Sequence, residues 1–483
     1  MTRAAAGGRS AVSSRPCIAV PPLAGLIATC LALAVVAPAA AASPYDLFFH
    51  TETDAAALGG ADLPGEITGR PDLRRPTSLL ESRAPRVRLD ACSQTPLRLS
   101  NQSGVIGRWQ SDSYRLELTH PLFEAQDRWV LGAAVTDVSD DIWYAREPQE
   151  YRLRSSQRRY ALGLATELHA GWRVGATYSS GELAGSARGS DVAALLDLPR
   201  DSTDWPALRS DAEQVVLGVS GVSGAWEWGA LRGWSRPSAS LHVTRDIYSY
   251  SAPMGLDGRW VEGWVSMGDG PHRWYLLGRE GGSSGEGSIM LGAAGRGDAS
   301  FSTDERVLAV GWRQELGGRT RQAQIDWRES EFATYEQGYA GLLPGISDDV
   351  YTVRAGGRIG ILSVRCGQRW PIADRWSCAL AGTAHYAAVD ADAVTKRVPG
   401  LGSQPVVEGE RHIAGGRLRL WSIAMGLTYE DGDMTASLTG TAGYGEVSRH
   451  FREALESGGE PGEGPGNHLE PRPFITAAIE WRL

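Results

Sequence analysis

Trp421-Ser422-Ile423-Ala424-Met425-Gly426-Leu427-Thr428-Tyr429-Glu430-Asp431-Gly432-Asp433-Met434-Thr435-Ala436-Ser437-Leu438-Thr439-Gly440-Thr441-Ala442-Gly443-Tyr444 reads as two strands joined by a tight turn. Successive side chains of a strand point to opposite faces. Trp421, Ile423, Met425, Leu427 and Tyr429 therefore share one face, and Ser422, Ala424, Gly426, Thr428 and Glu430 the other. After Asp431-Gly432-Asp433 the pattern resumes, with Met434, Ala436, Leu438, Ala442 and Tyr444 opposite Thr435, Ser437, Thr439, Thr441 and Gly443. Aromatic residues close both ends of the apolar face. On this reading Leu427 and Leu438 face oil, while Thr428 and Thr439, one residue away, face a polar interior.

The same grammar recurs from about Trp109 onward. Tyr160, Leu162, Leu164 and Leu168 oppose Arg159, Gly163, Glu167 and His169, and a turn at His169–Trp172 leads to Val174, Ala176 and Tyr178. Leu308, Val310 and Trp312 turn at Gly317-Gly318 and return as Ala323, Ile325 and Trp327. The apolar-faced segments run about 9–12 residues, enough for a tilted strand to cross a bilayer, whereas soluble strands average about 5–6. Short turns alternate with long polar stretches, roughly Asp140–Ser156, Glu182–Asp211, Phe332–Ser347, Asp390–Gly416 and Arg449–Arg472. Boundaries between Trp226 and Arg296 are not legible.

The C-terminus carries the same alternation. Ile475, Ala477, Ile479, Trp481 and Leu483 lie on one face and Thr476, Ala478, Glu480 and Arg482 on the other. A chain that stops on apolar-x-Trp-x-apolar resembles Gram-negative outer-membrane β-barrel proteins of porin-like architecture. Their usual last residue is Phe, so Leu483 is a weaker match. The resemblance makes Ile479, Trp481 and Leu483 a barrel-assembly signal and implies outer-membrane lipid and the barrel-assembly machinery as partners. The expected fold is all-β: a closed antiparallel transmembrane barrel of about 16–18 strands, with short periplasmic turns and long outer loops. A large soluble sandwich or propeller is the alternative.

The N-terminus reads as a secretory signal. Arg3, Arg9 and Arg15 precede an apolar core, Leu23–Val36, and Ala40-Ala41-Ala42 forms a small-residue cleavage site before Ser43. The apolar run falls short of the ~20 residues of a spanning helix. Thr29 before Cys30 argues against lipidation. The expected organisation is a signal peptide over residues 1–42, a polar periplasmic extension or lumen segment over 43–94, and the barrel over 95–483, with a first strand near Leu97–Ile106.

The chain holds 48 Lys+Arg against 57 Asp+Glu. Removing residues 1–42 takes away three arginines and no acid, so the exported chain is more acidic still. That balance excludes the basic footprint of a nucleic-acid binder. With 60 Gly and 17 Trp but 7 Phe, the composition suits interfacial Trp belts and a crowded inner wall. Cys366 and Cys378 flank one turn, and an oxidising compartment favours a disulfide between them; two unpaired thiols are the alternative. Cys92 stands alone. Zinc is disfavoured because ligand spacing is missing, and no cofactor is expected.

Enzymatic readings are weak. Asp140-Asp141 and Asp348-Asp349 are acid pairs beside expected loops, with His385 projecting inward nearby. Ser422 and Ser437 face inward without a His on the same face. Phosphate-loop, EF-hand and dinucleotide fingerprints do not occur. The remaining candidates are lumen-lining: Arg115, Glu117, Arg159, Glu167, Arg173, Arg313, Asp326, Arg328, Arg354, Arg358 and Glu430. Mixed Arg and acid would line a water-filled channel for small polar solutes, or would pair and fill the interior. A non-channel barrel for export, assembly or anchoring of a surface polymer is the second reading, and an outer-membrane hydrolase the third. Solute and oligomeric state are not encoded legibly.

Overall fold

The computed structural model describes residues 53–58, 60, 65–94, 97–101, 104–122, 128–146, 149–169, 171–189, 207–245, 248–291, 295–340, 349–398, 407–450, 467–470 and 474–483. The expected signal peptide and Asp348 lie outside them. The strands are β1 (Arg86–Gln94), β2 (Leu97–Asn101), β3 (Gly104–Pro121), β4 (Trp129–Arg146), β5 (Gln149–His169) and β6 (Trp172–Gly189). They continue as β7 (Ala207–Ser223), β8 (Trp226–Arg245), β9 (Tyr248–Asp269), β10 (His272–Leu291), β11 (Gly295–Leu316) and β12 (Arg319–Ala340). The last are β13 (Asp349–Ala373), β14 (Trp376–Val398), β15 (Val407–Asp431), β16 (Met434–His450), β17 (Asn467–Glu470) and β18 (Phe474–Arg482).

From β3 to β16 each strand pairs antiparallel with its sequence neighbours. β1 and β2 both pair with β3 and act as two pieces of one stave; β17 and β18 do the same against β16. β1 then pairs with β18, from Arg86 opposite Arg482 to Gln94 opposite Phe474, and β2 pairs with β17. The eighteen segments thus close into a barrel of 16 staves. Closure leaves no ladder edge, which hydrocarbon would not tolerate.

The wall is inside-out relative to a soluble protein. Leu427 and Leu438 are 39% and 53% exposed, whereas Thr428 and Thr439 are 4% and 1% exposed. Trp172, Trp226, Trp274, Trp376 and Trp481 stand outward near the short-turn end. Tyr114, Tyr160, Tyr178, Trp327, Tyr386, Trp421 and Tyr444 form a second outward band, with Trp421 and Tyr444 stacked at 6.2 Å. The bands lie six residues apart on β6, from Trp172 to Tyr178, and ten on β14, from Trp376 to Tyr386, roughly 15–25 Å of height for tilted strands, which approaches the apolar height of a membrane barrel. Among the described residues no helix is long and apolar enough to cross a membrane.

Short turns join the staves at one end, including Asp269–His272 and Asp431–Met434. Gly317 and Gly318 take φ of 60° and 75°, the left-handed pair that a two-residue hairpin needs. The strands themselves run well past the expected length, reaching 25 residues in β13 and β15. Much of the stretch expected as outer loops is therefore strand: Asp140 lies opposite Ser155, and Asp390 opposite Gly415. Above the apolar band both faces are polar, so the backbone ladder continues while its hydropathy signal disappears. The core of residues 190–206, 341–348, 399–406 and 451–466 lies outside the described residues.

Two expectations are corrected here. The barrel starts at Arg86, inside the stretch assigned to the extension, and Leu97–Ile106 is split between β2 and β3. The inward side of β1 is Arg86, Arg88 and Asp90 against Val87, Leu89 and Ala91, an alternation too short to stand out at the end of a polar stretch. Cys366 and Cys378 form no disulfide with each other. Cys366 faces Gly382 and Cys378 faces Trp370. That offset of four residues is roughly 13 Å along the ladder, beyond the ~4.4–6.8 Å between Cα atoms that a bridge requires.

Candidate functional site: the occupied lumen

The described part of residues 53–82 sits inside the barrel. It contains helix α1 (Thr53–Ala57), helix α2 (Gly65–Thr68) and a 3-10 turn, Pro76–Glu81. Pro76 at the first positions of the turn supplies a suitable φ and lacks an N–H that would go unpaired. Asp72 organises the approach: Oδ1 accepts from the Arg74 N–H at 2.9 Å, and the Ser78 hydroxyl accepts from the Asp72 N–H at 2.8 Å and donates to the Arg75 carbonyl at 2.7 Å.

One end of this plug is apolar. Leu73, Leu79 and Leu80 are buried against Val130, Ala134 and Ala165 of β4 and β5. The wall makes room with glycine. A Cβ on Gly132 would stand 2.7 Å from Leu79, on Gly163 2.6 Å from Leu73, and on Gly175 2.8 Å from Pro76. Ile67 packs on Trp264, Tyr275, Leu277 and Ala309 across β9 to β11.

The other end is held by polar wall side chains. Gln322 Nε2 donates to the Leu58 carbonyl at 2.8 Å, Thr439 Oγ1 to the Thr53 carbonyl at 3.1 Å, and the Arg365 guanidinium to the Gly60 carbonyl. Arg365 is itself held by Asp326 at 3.0 Å, which also accepts from Gln324, and Tyr275 donates to Gln324. At the start of the 3-10 turn, Arg75 Nε reaches Glu262 Oε1 at 2.6 Å, with a second contact at 3.3 Å; both side chains are 4% exposed. Arg173 binds Glu81 of the plug at 2.7 Å, and the Ser82 and Thr119 hydroxyls meet at 2.9 Å.

The sequence-derived lumen candidates divide accordingly. Arg173 and Asp326 belong to the plug's seat, Asp326 through Arg365. Arg313 donates to Gln322 at 3.3 Å and stands beside that seat. Arg115 and Glu117 pair with each other at 2.8 Å, and Arg328 lies 3.6 Å from Glu305. Arg159 donates to Gln214 and Ser179. Glu167 is half-buried on the wall, and Glu430 lines a cleft at the short-turn mouth. Arg354 and Arg358 are corrections. β13 has Ile361, Ser363 and Arg365 buried inside, so the even positions face out. Arg358 pairs there with Glu329 and Glu331, and Arg354 lies over the Tyr335 ring. Glycines at 356, 357 and 360 removed the apolar markers that would have shown which face was which.

The acid pair Asp140-Asp141 is split across the wall. Asp141 is bound by Arg152 at 2.5 Å, and this hydrogen bond holds its carboxyl below the usual carboxylate range. His385 is buried and meets the Ser363 hydroxyl at 3.0 Å. Among the described residues no three or more His, Cys, Asp or Glu side chains gather as a metal site.

Arg75, Glu262, Gln322 and Arg365 were missed as functional residues. Glu262 lies in Trp260-Val261-Glu262-Gly263-Trp264, where the inward residues Trp260 and Trp264 carry the bulk usually read as outward. Trp264 faces in because it packs on the plug's Ile67.

The belt, the closure and the polar inner wall decide the class. The chain is a 16-strand transmembrane β-barrel. No family model matches it, and no curated protein matches its sequence. Among solved structures the barrel is similar to the ferric yersiniabactin uptake receptor FyuA from Yersinia pestis, with 8% identity, TM-score 0.35, and coverage of 82% of this chain and 80% of that one. It is also similar to the Ralstonia pickettii toluene transporter TbuX, with 10% identity, TM-score 0.39, and coverage of 91% and 100%. The Pseudomonas putida toluene transporter TodX gives 11% identity, TM-score 0.38, and coverage of 88% and 96%. At these values the likeness is one of architecture alone.

Proposed function

We propose that this barrel resides in the outer membrane of a Gram-negative bacterium as a gated channel for small polar solutes. Its short-turn end faces the periplasm, and its own N-terminal segment serves as the gate. The observation that carries this reading is a polar wall occupied by a segment of the same chain through noncovalent contacts. Ser, Thr, Gln and paired charges such as Arg328 and Glu305 line the interior, as a wet lumen requires. A barrel whose only task was anchoring could fill its interior with apolar side chains. Here the filling is a separable segment, received by glycines and by hydrogen bonds from the wall.

Lipid and the assembly machinery are the partners this reading implies, the latter through the face bearing Ile479, Trp481 and Leu483. No catalytic step is assigned.

Conductance across a planar bilayer tests it. The wild-type barrel is expected to be mostly closed with rare openings, and a chain lacking residues 53–82 is expected to conduct steadily. If the deleted chain assembles into a barrel and still passes no ions, the channel reading falls and the anchoring or assembly reading replaces it.

A further inference from the structure

A cavity of about 130 Å³ opens at the short-turn mouth between the plug and the wall of β1, β15, β16 and β18. Arg70 of the plug, Arg86 and Arg88 of β1, and Arg482 after Glu480 bring four guanidinium groups to it, against Glu430 and Glu480. One carboxylate is divided among three of these cations: Glu480 lies 3.5 Å from Arg86, 3.6 Å from Arg88 and 3.8 Å from Arg482. Arg88 has a closer partner in Asp90 at 2.6 Å. Nε of Arg86 is buried with no acceptor. Thr435 and Ser437 add hydroxyls to the lining. Four guanidinium groups on one cleft, an unused Nε of Arg86 and room for a few heavy atoms together describe the receptor for a planar or tetrahedral oxyanion, the groups that Arg recognises with paired N–H donors.

We propose that this cleft binds one small oxyanion of phosphate or carboxylate type and that the bound anion locks the plug to the wall through Arg70. Arg70 follows α2, and its backbone N–H is tied to the Gly65 carbonyl at 3.0 Å, so a force on its side chain acts on the helix. The anion meets all four arginines only when the plug is seated. Binding to the seated state alone shifts the equilibrium by mass action, so anion at about 100 times its Kd lowers the unseated population roughly 100-fold. The lock rests on the plug's seat and stands whether or not the barrel conducts.

The test uses the full exported chain in lipid-free detergent micelles at constant ionic strength. Titration calorimetry with sodium phosphate, and separately sodium acetate, against sodium chloride measures binding. Hydrogen exchange over residues 65–82 measures the lock. Saturable one-to-one binding of either anion, with slowed exchange of that segment, is the expected result. Arg86→Gln should weaken binding at least tenfold, Arg70→Gln should abolish the slowing of exchange, and Arg417→Gln, on the outer face of β15, should change neither. Retention of the β-barrel circular dichroism spectrum shows that each variant is folded. Absence of saturable binding in the wild type overturns the proposal, as does binding that leaves exchange unchanged or that survives both Arg70→Gln and Arg86→Gln. Slowed exchange seen only in phosphatidylglycerol nanodiscs, with no response to free phosphate or acetate, would transfer the site to a lipid headgroup and overturn the free-anion lock.

Discussion

Leu79 and Thr53 mark the two ends of the lumenal plug, and the wall receives them with a different balance of contacts, although Arg128 also donates to the Ser82 carbonyl at the first end and Gly426 also makes room for Ala57 at the second. At the Leu79 end, plug side chains fill space that wall glycines leave empty, as at Gly132 and Gly163. At the Thr53 end, wall side chains reach plug main-chain carbonyls at Thr53, Leu58 and Gly60. The first kind of contact depends on the plug's sequence and is lost as a block when it lifts. The second depends on the wall's sequence, and water can replace it one hydrogen bond at a time. Each such bond contributes only about 0.5–1.5 kcal/mol net, somewhat more where charged, whereas a buried Leu is worth about 2–5 kcal/mol against Ala. Release should therefore begin at α1 and stall at the 3-10 turn.

The largest break in that contrast comes from the Arg75–Glu262 ion pair at the start of the 3-10 turn. Glu262→Ala leaves the buried Arg75 with only the more distant Asp72 carboxylate, 3.9 Å away, and should cost the seated state toward the lower end of about 3–5 kcal/mol. Single-channel recording should show a large rise in open time, and Glu262→Gln should show a smaller one because it preserves an acceptor. Leu79→Ala comes next, at about 2–5 kcal/mol. It should expose residues 53–82 to protease in the assembled barrel while β-sheet content stays constant; a plug as resistant as wild type would contradict the space-filling account. Gly163→Val attacks the same end from the wall, with overpacking of about 1–3 kcal/mol, and should raise hydrogen exchange through the 3-10 turn. Gln322→Ala should be mildest, near 1 kcal/mol. Its exchange change should stay within residues 53–60; if it spread to Leu79, the two ends would be one cooperative unit and the proposed order of release would be wrong.

How much of this was legible varies along the chain. The hairpin of β15 and β16 announces itself because bulk faces out and a small or hydroxyl-bearing residue faces in at every step from Trp421 to Tyr429. β9 does not, because Trp260 and Trp264 put bulk inside, Trp264 against the plug, and hide Glu262 between them. β13 misleads at Arg354 and Arg358, where both faces are polar or glycine and the parity cannot be counted from local residues. The plug's own seat was open between a periplasmic extension and a lumen segment, since Pro- and Arg-rich residues carry no periodicity that states where they lie.

What the sequence determined by itself is the wall: period-two alternation, aromatic ends to the apolar faces, and a last strand whose outward side is Ile475, Ala477, Ile479, Trp481 and Leu483. Those features are local, because neighbouring side chains on a strand must part to opposite faces whatever the rest of the chain does. The closure of β1 on β18, the pairing of Arg75 with Glu262 and the entry of the plug into the lumen were decided only in three dimensions. Each joins residues far apart in the chain, and their partners are set by barrel register and by the space that inner-wall glycines leave, neither of which any short window of residues contains.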